Sequence, residues 1–430
     1  MTNEDRNIVL FINAVRPATF AALESHENRT GQKLIPIVLV DKKIQESITA
    51  RNGQKHEGKN LKVISADFDS PSSVRSALKD YENRIFAVTS QYENSVHELK
   101  KIVPYLPYLP MPTQSSLEWS TEKKHMRELL ESYDKSLVPG FMIAEDATDK
   151  TIHSIEKSLS YPLVVKPSGL EGALLVSMVH NRVQLKHTLQ YTYSEIQKAY
   201  DTWIKRQEPL VLVEEFMEGE MYSVDTYIAH NGTCYHTPLV RVVTGRSVGF
   251  DDFFGYMRLT PTGLNDTEEK KAFVTAEKAC HALNLRSMTV HVELMRTPRG
   301  WKVIEVGPRI GGYRHEIYAL SYDINHIGND ILVRAGKVPH IPTETIGSTA
   351  LFNIYAKQEG RLVSTSGEGT VRKLSSFQSI KKIPKDGEEL KFAKNNGDIV
   401  FAVTLFNSDR DQLEQDIQTM EDTLKINVAD

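Results

Sequence analysis

The sequence is poor in several things, and each shortage excludes a class of protein. Two cysteines, Cys234 and Cys280, in 430 residues cannot make a disulfide scaffold, and their separation is not a metal-ligand spacing. No uninterrupted apolar run is long enough to cross a bilayer. The opening MTNEDRN is polar and lacks a signal-peptide pattern, so a cytoplasmic protein without a membrane partner is expected. A net charge of −4, with only the short basic clusters Lys123-Lys124 and Lys381-Lys382, gives no footprint for nucleic acid. The first apolar run is followed by Asn13-Ala14-Val15-Arg16-Pro17 rather than G-x-G-x-x-G, which argues against a dinucleotide-binding Rossmann unit. Internal repeats and low-complexity tracts are absent.

What remains is ordinary globular material, 40% hydrophobic and 25% charged, in a chain long enough for two to four domains. Short apolar runs at 8–12, 34–40, 62–64 and 84–88 alternate with helix-compatible segments, the pattern of a parallel sheet with helices on its faces. The proline-rich stretch 104–112 cannot be a helix interior and marks a boundary. From about Ile341 the texture changes to strands (Ala350–Tyr355, Thr370–Leu374, Ile399–Leu405) and a terminal helix, Asp409–Met420.

The chemistry concentrates in Val290–Gly312, VHVELMRTPRGWKVIEVGPRIGG, read as two strands and a turn. His291, Glu293 and Met295 share one face of the first strand. A three-residue loop, Pro298-Arg299-Gly300, sets Thr297 opposite Trp301 and Glu293 opposite Glu305, with Glu305 on the face of Val303 and Trp301. Carboxylates opposed across a ladder repel, and a hard divalent cation removes the conflict. Two solvated glutamates are the plain alternative. Arg309, just beyond, adds the fixed cation that handling of a transferring phosphate requires.

HVEL…VIEVGPRIGG resembles the metal-binding end of the ATP-grasp ligases, with Gly307 where that superfamily commonly has an asparagine ligand. Three further segments follow in the superfamily's order: Ser120–Arg127, read as a helix opening with Ser120 as N-cap; Tyr161–Val176; and Leu210–Asp225. The resemblance implies ATP with magnesium or manganese. It implies that Lys123 (or Lys124) and Lys166 hold the nucleotide phosphates under a loop beginning at Ser168 and Gly169. Glu214, Glu215, Phe216 and Met217 would lie along the adenine. The ribose glutamate of the superfamily falls at Met221, leaving Glu220, one residue early, as the candidate. Glu293 and Glu305 would hold metal, and Arg258 and Arg309 would act on the transferring phosphate and developing oxyanion. Gly311, Gly312 and Tyr313 would border the substrate.

The fold implied is α/β and three-lobed, an ATP-grasp fold: an N-terminal parallel-sheet pre-ATP-grasp domain (1–112), an ATP-grasp domain (113–340) and a small C-terminal α+β lobe (341–430). The function implied is an ATP-dependent carboxylate–amine ligase, most like the L-amino-acid (dipeptide) ligase branch, with small-molecule, amino-acid-like substrates; a homodimer is compatible with it. An ATP-grasp enzyme of another class, biotin-carboxylase-like or purine-pathway, is the first alternative, although no Met-Lys-Met biotin motif is present. A nucleotide-binding regulator without catalysis is the second.

Overall fold

The computed structural model describes residues 6–44, 61–170, 172–202 and 209–429. Four strands, β1 (Ile8–Ile12), β2 (Ile35–Asp41), β3 (Lys62–Ala66) and β4 (Ile85–Thr89), form a parallel sheet in the order β3-β2-β1-β4. β1 is buried throughout, and its side chains alternate between two cores. Ile8, Leu10 and Ile12 join one, while Val9 and Phe11 join another that includes Ile327 and Ile331. This is why β1 reads as a continuous apolar run: neither face meets water. Helices α1 (Ala18–Thr30), α2 (Pro71–Leu78) and α3 (Glu93–Ile102) complete the lobe.

After the prolines come α4 (Gln114–Thr121) and α5 (Lys123–Tyr133). Thr113, not Ser120, caps the first of these, its side chain accepting from the Ser116 N–H. Ser120 lies inside α4, where its hydroxyl donates to the Ser116 and Leu117 carbonyls.

A four-stranded antiparallel sheet follows, built from β5 (Phe141–Ala144), β6 (Leu163–Pro167), β7 (Ser177–Val179) and β8 (Val211–Glu215) in the order β5-β8-β6-β7. Helices α6 (Asp149–Ser158) and α7 (Arg182–Thr202) bury their apolar sides against it, Ile152, Ile155, Leu185 and Leu189 sharing a core with Val165 and Val213.

The large sheet has nine strands. It begins with β9 (Glu220–Ile228), β10 (Cys234–His236), β11 (Val240–Thr244) and β12 (Gly255–Thr260). Helix α8 (Asp266–Ala282) separates these from the hairpin β13 (Met288–Thr297) and β14 (Gly300–Gly307). The Asn265 side chain caps α8 by accepting from the Glu268 N–H, with acidic residues in the first turn facing the positive end of the helix. Helices α9 (Arg314–Tyr322) and α10 (His326–Arg334) come next. The chain then adds β15 (Ser348–Ile354), β16 (Gly360–Ser366), α11 (Glu368–Val371), β17 (Phe377–Lys382), β18 (Glu389–Leu390), β19 (Phe401–Asn407), α12 (Arg410–Thr423) and β20 (Lys425–Ala429). The sheet runs β14-β13-β9-β11-β12-β15-β19-β17, so it crosses residue 340 unbroken through the β12–β15 pair. Thr370–Leu374, expected as a strand, is the end of α11 and a turn. Gly367, at φ +96°, ends β16 there and starts the helix.

Helix α10 docks the first lobe onto the large sheet. Asp330 accepts from the Thr89 hydroxyl at 2.6 Å and from Arg334 at 2.9 Å, all three side chains buried. This contact brings the loops after β1 and β4 against the segment following β14.

Candidate active site

The hairpin does oppose Glu293 to Glu305, by two departures from the expected geometry that cancel. The turn is one residue shorter than expected: Thr297 pairs with Gly300, and Arg296 with Trp301. A bulge in β14 at Ile304, across from the Glu293–Leu294 step of β13, then shifts the register, so Leu294 faces Val303 while Glu293 faces Glu305. The same bulge corrects the face assignment. Val303 and Trp301 point into the main core with Val306, and Glu305 points the other way.

Two rungs of side chains therefore cross one face of the sheet. The first is Ser223, Glu293 and Glu305; the second is Asp225, His291 and Gly307. Asp225, fully buried, receives His291 Nδ1 at 2.6 Å, His326 Nε2 at 2.7 Å and the Gly311 N–H at 2.7 Å. Burial alone would raise its pKa, but the two imidazoles outweigh that and hold it well below the carboxylate range. His291 is in turn raised against burial by Asp225, and its Nε2 lies 3.6 Å from Glu293 Oε1. Glu293 is lowered by His291, Arg314 and Arg309, which together overcome its desolvation. Gly311 has to be glycine, because a Cβ there would sit 2.6 Å from His291 Nδ1 and 2.9 Å from Asp225 Oδ1. Gly312 has open space around it.

Lysines reach this face from two other elements. Lys123, at the start of α5, is buried and donates to Glu305 Oε1 at 3.1 Å and to the Leu170 carbonyl at 2.9 Å. Burial would lower its pKa, but Glu305 and Glu93 raise it. Lys124 donates its backbone N–H to Ser168 Oγ. Lys166, next to the end of β6, pairs with Glu214 at 2.6 Å. Its pKa is lowered, since burial and the neighbouring Arg127 and Lys123 outweigh Glu214.

Several expected ligands are engaged elsewhere. Glu214 is buried, bonded through both oxygens to Arg127 and through one to Lys166, and its carboxyl is held at about 2 despite desolvation. Its work is to anchor Lys166 and Arg127, the latter also gripping the Val303 and Ile304 carbonyls at the bulge. Glu215 accepts from the Ser160 N–H. The Ser168 and Gly169 N–H groups, expected to face phosphate, donate to the Leu210 carbonyl and the Tyr200 hydroxyl. Glu171 of the same loop lies outside the described residues. The Phe216 N–H goes to the Pro162 carbonyl; among the described residues, none takes the Met217 N–H. Glu220 is on the face opposite Glu293 and Glu305. It alternates with Tyr222 and Val224 of the core and forms a half-exposed network with Arg241 and Arg296. Met221, Ser223 and Asp225 occupy the face of the rungs.

Arginines crowd the far side. Arg309 pairs with Glu93 of α3 at 2.6 Å. A Cβ on Gly307 would be 3.5 Å from that Glu93 carboxylate, so the first lobe delivers a carboxylate toward the space a side chain at 307 would enter. Arg258 has its guanidinium 5.5 Å from the Tyr313 ring centroid and is lowered to about 10 by burial and Arg314. Arg314 donates to Ser223 Oγ at 2.6 Å, and Arg16, after β1, reaches the Gly311 carbonyl at 3.5 Å. Asp225, His326, Glu93, Arg16 and Arg314 escape a sequence reading. The period-2 alternation from Glu293 through its strand neighbours could have suggested Asp225; Glu93 and Arg16 depend on the packing of the first lobe, and His326 and Arg314 on how α9 and α10 cover the sheet.

Residues 159–316 match a family described as the ATP-grasp domain. The chain carries an ATP-grasp domain. Its α/β, three-lobed architecture is that of the ATP-grasp fold, and the L-amino acid ligase from Bacillus licheniformis superimposes with a TM-score of 0.77, covering 99% of this chain and 100% of that one at 18% identity. Protein y4rH of Sinorhizobium fredii is 24% identical over 320 residues, 73% of this chain and 62% of that protein. Human carnosine synthase 1 is 27% identical over 144 residues, 31% of this chain. The chain thus spans less than two thirds of y4rH and 16% of carnosine synthase 1. No described helix is long and apolar enough to cross a membrane.

The donor set around the ATP-grasp rungs fits magnesium or manganese: two carboxylates from adjacent strands, hard oxygen ligands with no thiolate among them. The two buried lysines and the arginine group fit a polyphosphate.

Proposed function

We propose that this ATP-grasp protein is an ATP-dependent carboxylate–amine ligase that forms an amide bond between amino-acid-like substrates, releasing ADP and phosphate. The opposed pair Glu293 and Glu305, with Lys123 bonded to one of them, carries this reading. Glu293 and Glu305 would hold a divalent ion, which when bound supplies charge neutralisation for the nucleotide phosphates. Lys123 and Lys166 would bind those phosphates, and the Met217 N–H would meet the adenine edge. Residues 1–112 and 341–430 would flank the 113–340 catalytic portion as separate functional lobes.

In this scheme a substrate carboxylate attacks the γ-phosphorus of ATP, and the bond from that phosphorus to the bridging oxygen breaks to give ADP and an acyl phosphate. The amine then attacks the acyl carbon, phosphate leaves with the C–O bonding pair, and the amine loses a proton. Arg309 and Arg258 would stabilise the charge on the phosphoryl group and the tetrahedral oxyanion. Arg309 starts from its pair with Glu93, so productive binding draws it toward the phosphate while Glu93 keeps it within reach. Closeness to the B. licheniformis ligase in fold and the arginine-lined Gly311–Tyr313 segment favour amino-acid substrates.

The test is ADP formation across a panel of amino-acid pairs, with and without the amine. Glu305→Gln should lower amine-dependent turnover by ~100-fold or more while leaving thermal unfolding near that of the unaltered protein. Full turnover in the variant would remove the metal assignment, and ATP consumption independent of any amine would remove the ligase. Tyr313 borders the Arg258 guanidinium, and we assign it to the acceptor side. Tyr313→Ala should admit larger acceptors with donor choice unchanged; a shift confined to donor preference would place it on the other substrate.

A further inference from the structure

Away from the rungs, on the helix-covered face of the large sheet, Cys234, Glu277 and His281 come together. Each offers one ligand atom, and these atoms lie within 4.8 Å of one another, the one such group among the described residues. Glu277 and His281 are four residues apart on α8 and so project from the same side of the helix. Cys234 opens β10, opposite Ile228, at the end of the turn through Gly232. That turn needs its glycine: Gly232 has φ +91°, and a Cβ there would lie 3.0 Å from the Arg286 guanidinium. Cys234 Sγ and His281 Nε2 are 3.9 Å apart, and both contact the Gly232 carbonyl oxygen, at 3.6 and 3.0 Å. The edge of a tetrahedron with sulfur and nitrogen ligands around zinc is about 3.5 Å. Only a small closure separates the observed spacing from a coordinated one.

We infer that Cys234, Glu277 and His281 form a metal site for a zinc-like divalent ion, separate from the nucleotide site. Thiolate, imidazole and carboxylate from two elements suit zinc and disfavour magnesium, which takes oxygen ligands. All three side chains are half-buried, so water can complete the coordination. The sheet separates this group from Glu293: α8 contributes Ala272, Ala276 and Ala279 to the core that also contains Val292 and Leu294, on the side opposite the rungs. Bound there, the ion would clasp the β9–β10 turn to the last turns of α8. Cysteine binds such an ion as the thiolate, so binding expels a proton and strengthens as pH rises. A sequence spacing rule misses the site because its third ligand comes from a strand far from the helix pair.

Cobalt(II) provides the test, since its thiolate charge-transfer absorption reports a cysteine ligand and is silent for carboxylate sites. The purified full chain should take up one equivalent of cobalt with that band, and zinc should displace it. Cys234→Ser and His281→Ala should lose the band and weaken zinc binding by ~100-fold or more, while retaining binding of an ATP analogue as a sign of folding. Cys280→Ala removes the other thiol, which is fully buried, and should keep the band. Absence of the band in the unaltered protein, or its survival in Cys234→Ser, would overturn the site. Neither result depends on the ligase reaction, so this inference and the proposed function can fail separately.

Discussion

Glu220 and Asp225 are carboxylates on the same strand, β9, an odd number of residues apart, and so they face opposite sides of the sheet. Glu220 keeps 43% of its side chain exposed and shares charge with Arg241 and Arg296, themselves near 40% exposed. Asp225 is fully buried and bonded to two imidazoles and a backbone N–H. The exposed group is a loose network, screened by water, in which each pair contributes little. The buried group has no water to fall back on, so every donor and acceptor in it must be placed. Charge density along a sequence does not separate the two. What separates them is parity along the strand and what covers each face.

The largest effect on this contrast should come from Asp225→Asn. The substitution keeps the shape, removes the counter-charge of His291 and His326, and offers an N–H to a ring already donating. Breaking a buried pair in this way costs about 3–5 kcal/mol. Denaturant unfolding should show that loss, and turnover should fall as well, because the single amide oxygen can serve only one side: either His291, the neighbour of Glu293, or His326 with the Gly311 N–H loses its acceptor. A variant within about 1 kcal/mol of the parent, with turnover intact, would put Asp225 in the same class as Glu220.

Much of the fold was legible because it follows local rules. The fully apolar strands of the first lobe, the proline boundary and the order of the motifs each reflect a short-range requirement of burial or backbone geometry. The hairpin shows the limit. The opposition of Glu293 and Glu305 was expected from a three-residue turn, and it holds because a shorter turn and a bulge compensate. Bulges carry no reliable residue signature, so the face of Val303 could not be read. That Glu214 anchors Lys166 was not read, although Val164, Lys166, Leu212 and Glu214 share one face of the β6–β8 pair, because the pairing register joins segments far apart in sequence. Glu93, Arg16 and His326 come from elements whose approach to Gly307–Gly312 is set by the docking of α10, a long-range fact that no window of sequence contains.

A middle-sized effect would sharpen the contrast from the other direction. Met221 lies on the face of the rungs, opposite Met295 on β13 and Val242 on β11, and is the position to which the sequence resemblance assigns a ribose carboxylate. If the ribose lies there, Met221→Glu should tighten binding of a non-hydrolysable ATP analogue by roughly 10-fold, the worth of about one good hydrogen bond to a charged group. Calorimetric titration would read it. Unchanged or weaker binding, in a variant that unfolds at the parent temperature, would mean that the ribose is held elsewhere on this chain.

The smallest effect is expected at Glu220, the ribose candidate one residue early in the sequence. Glu220→Gln keeps the hydrogen bond from the Tyr222 hydroxyl within reach and removes one charge from a network that includes Arg241, Arg296 and, through Arg296, Glu268. Arg296 retains Glu268 at 3.0 Å, so no cation is left stranded in a dry site. The stability change should therefore be under about 1 kcal/mol and should shrink further in high salt. Binding of the ATP analogue should not change, because the side chain points into the opposite side of the sheet from Glu293 and Glu305. A loss of nucleotide affinity in Glu220→Gln, measured beside Met221→Glu, would show that strand parity does not sort the working face from the structural one here. The ribose assignment would then return to Glu220.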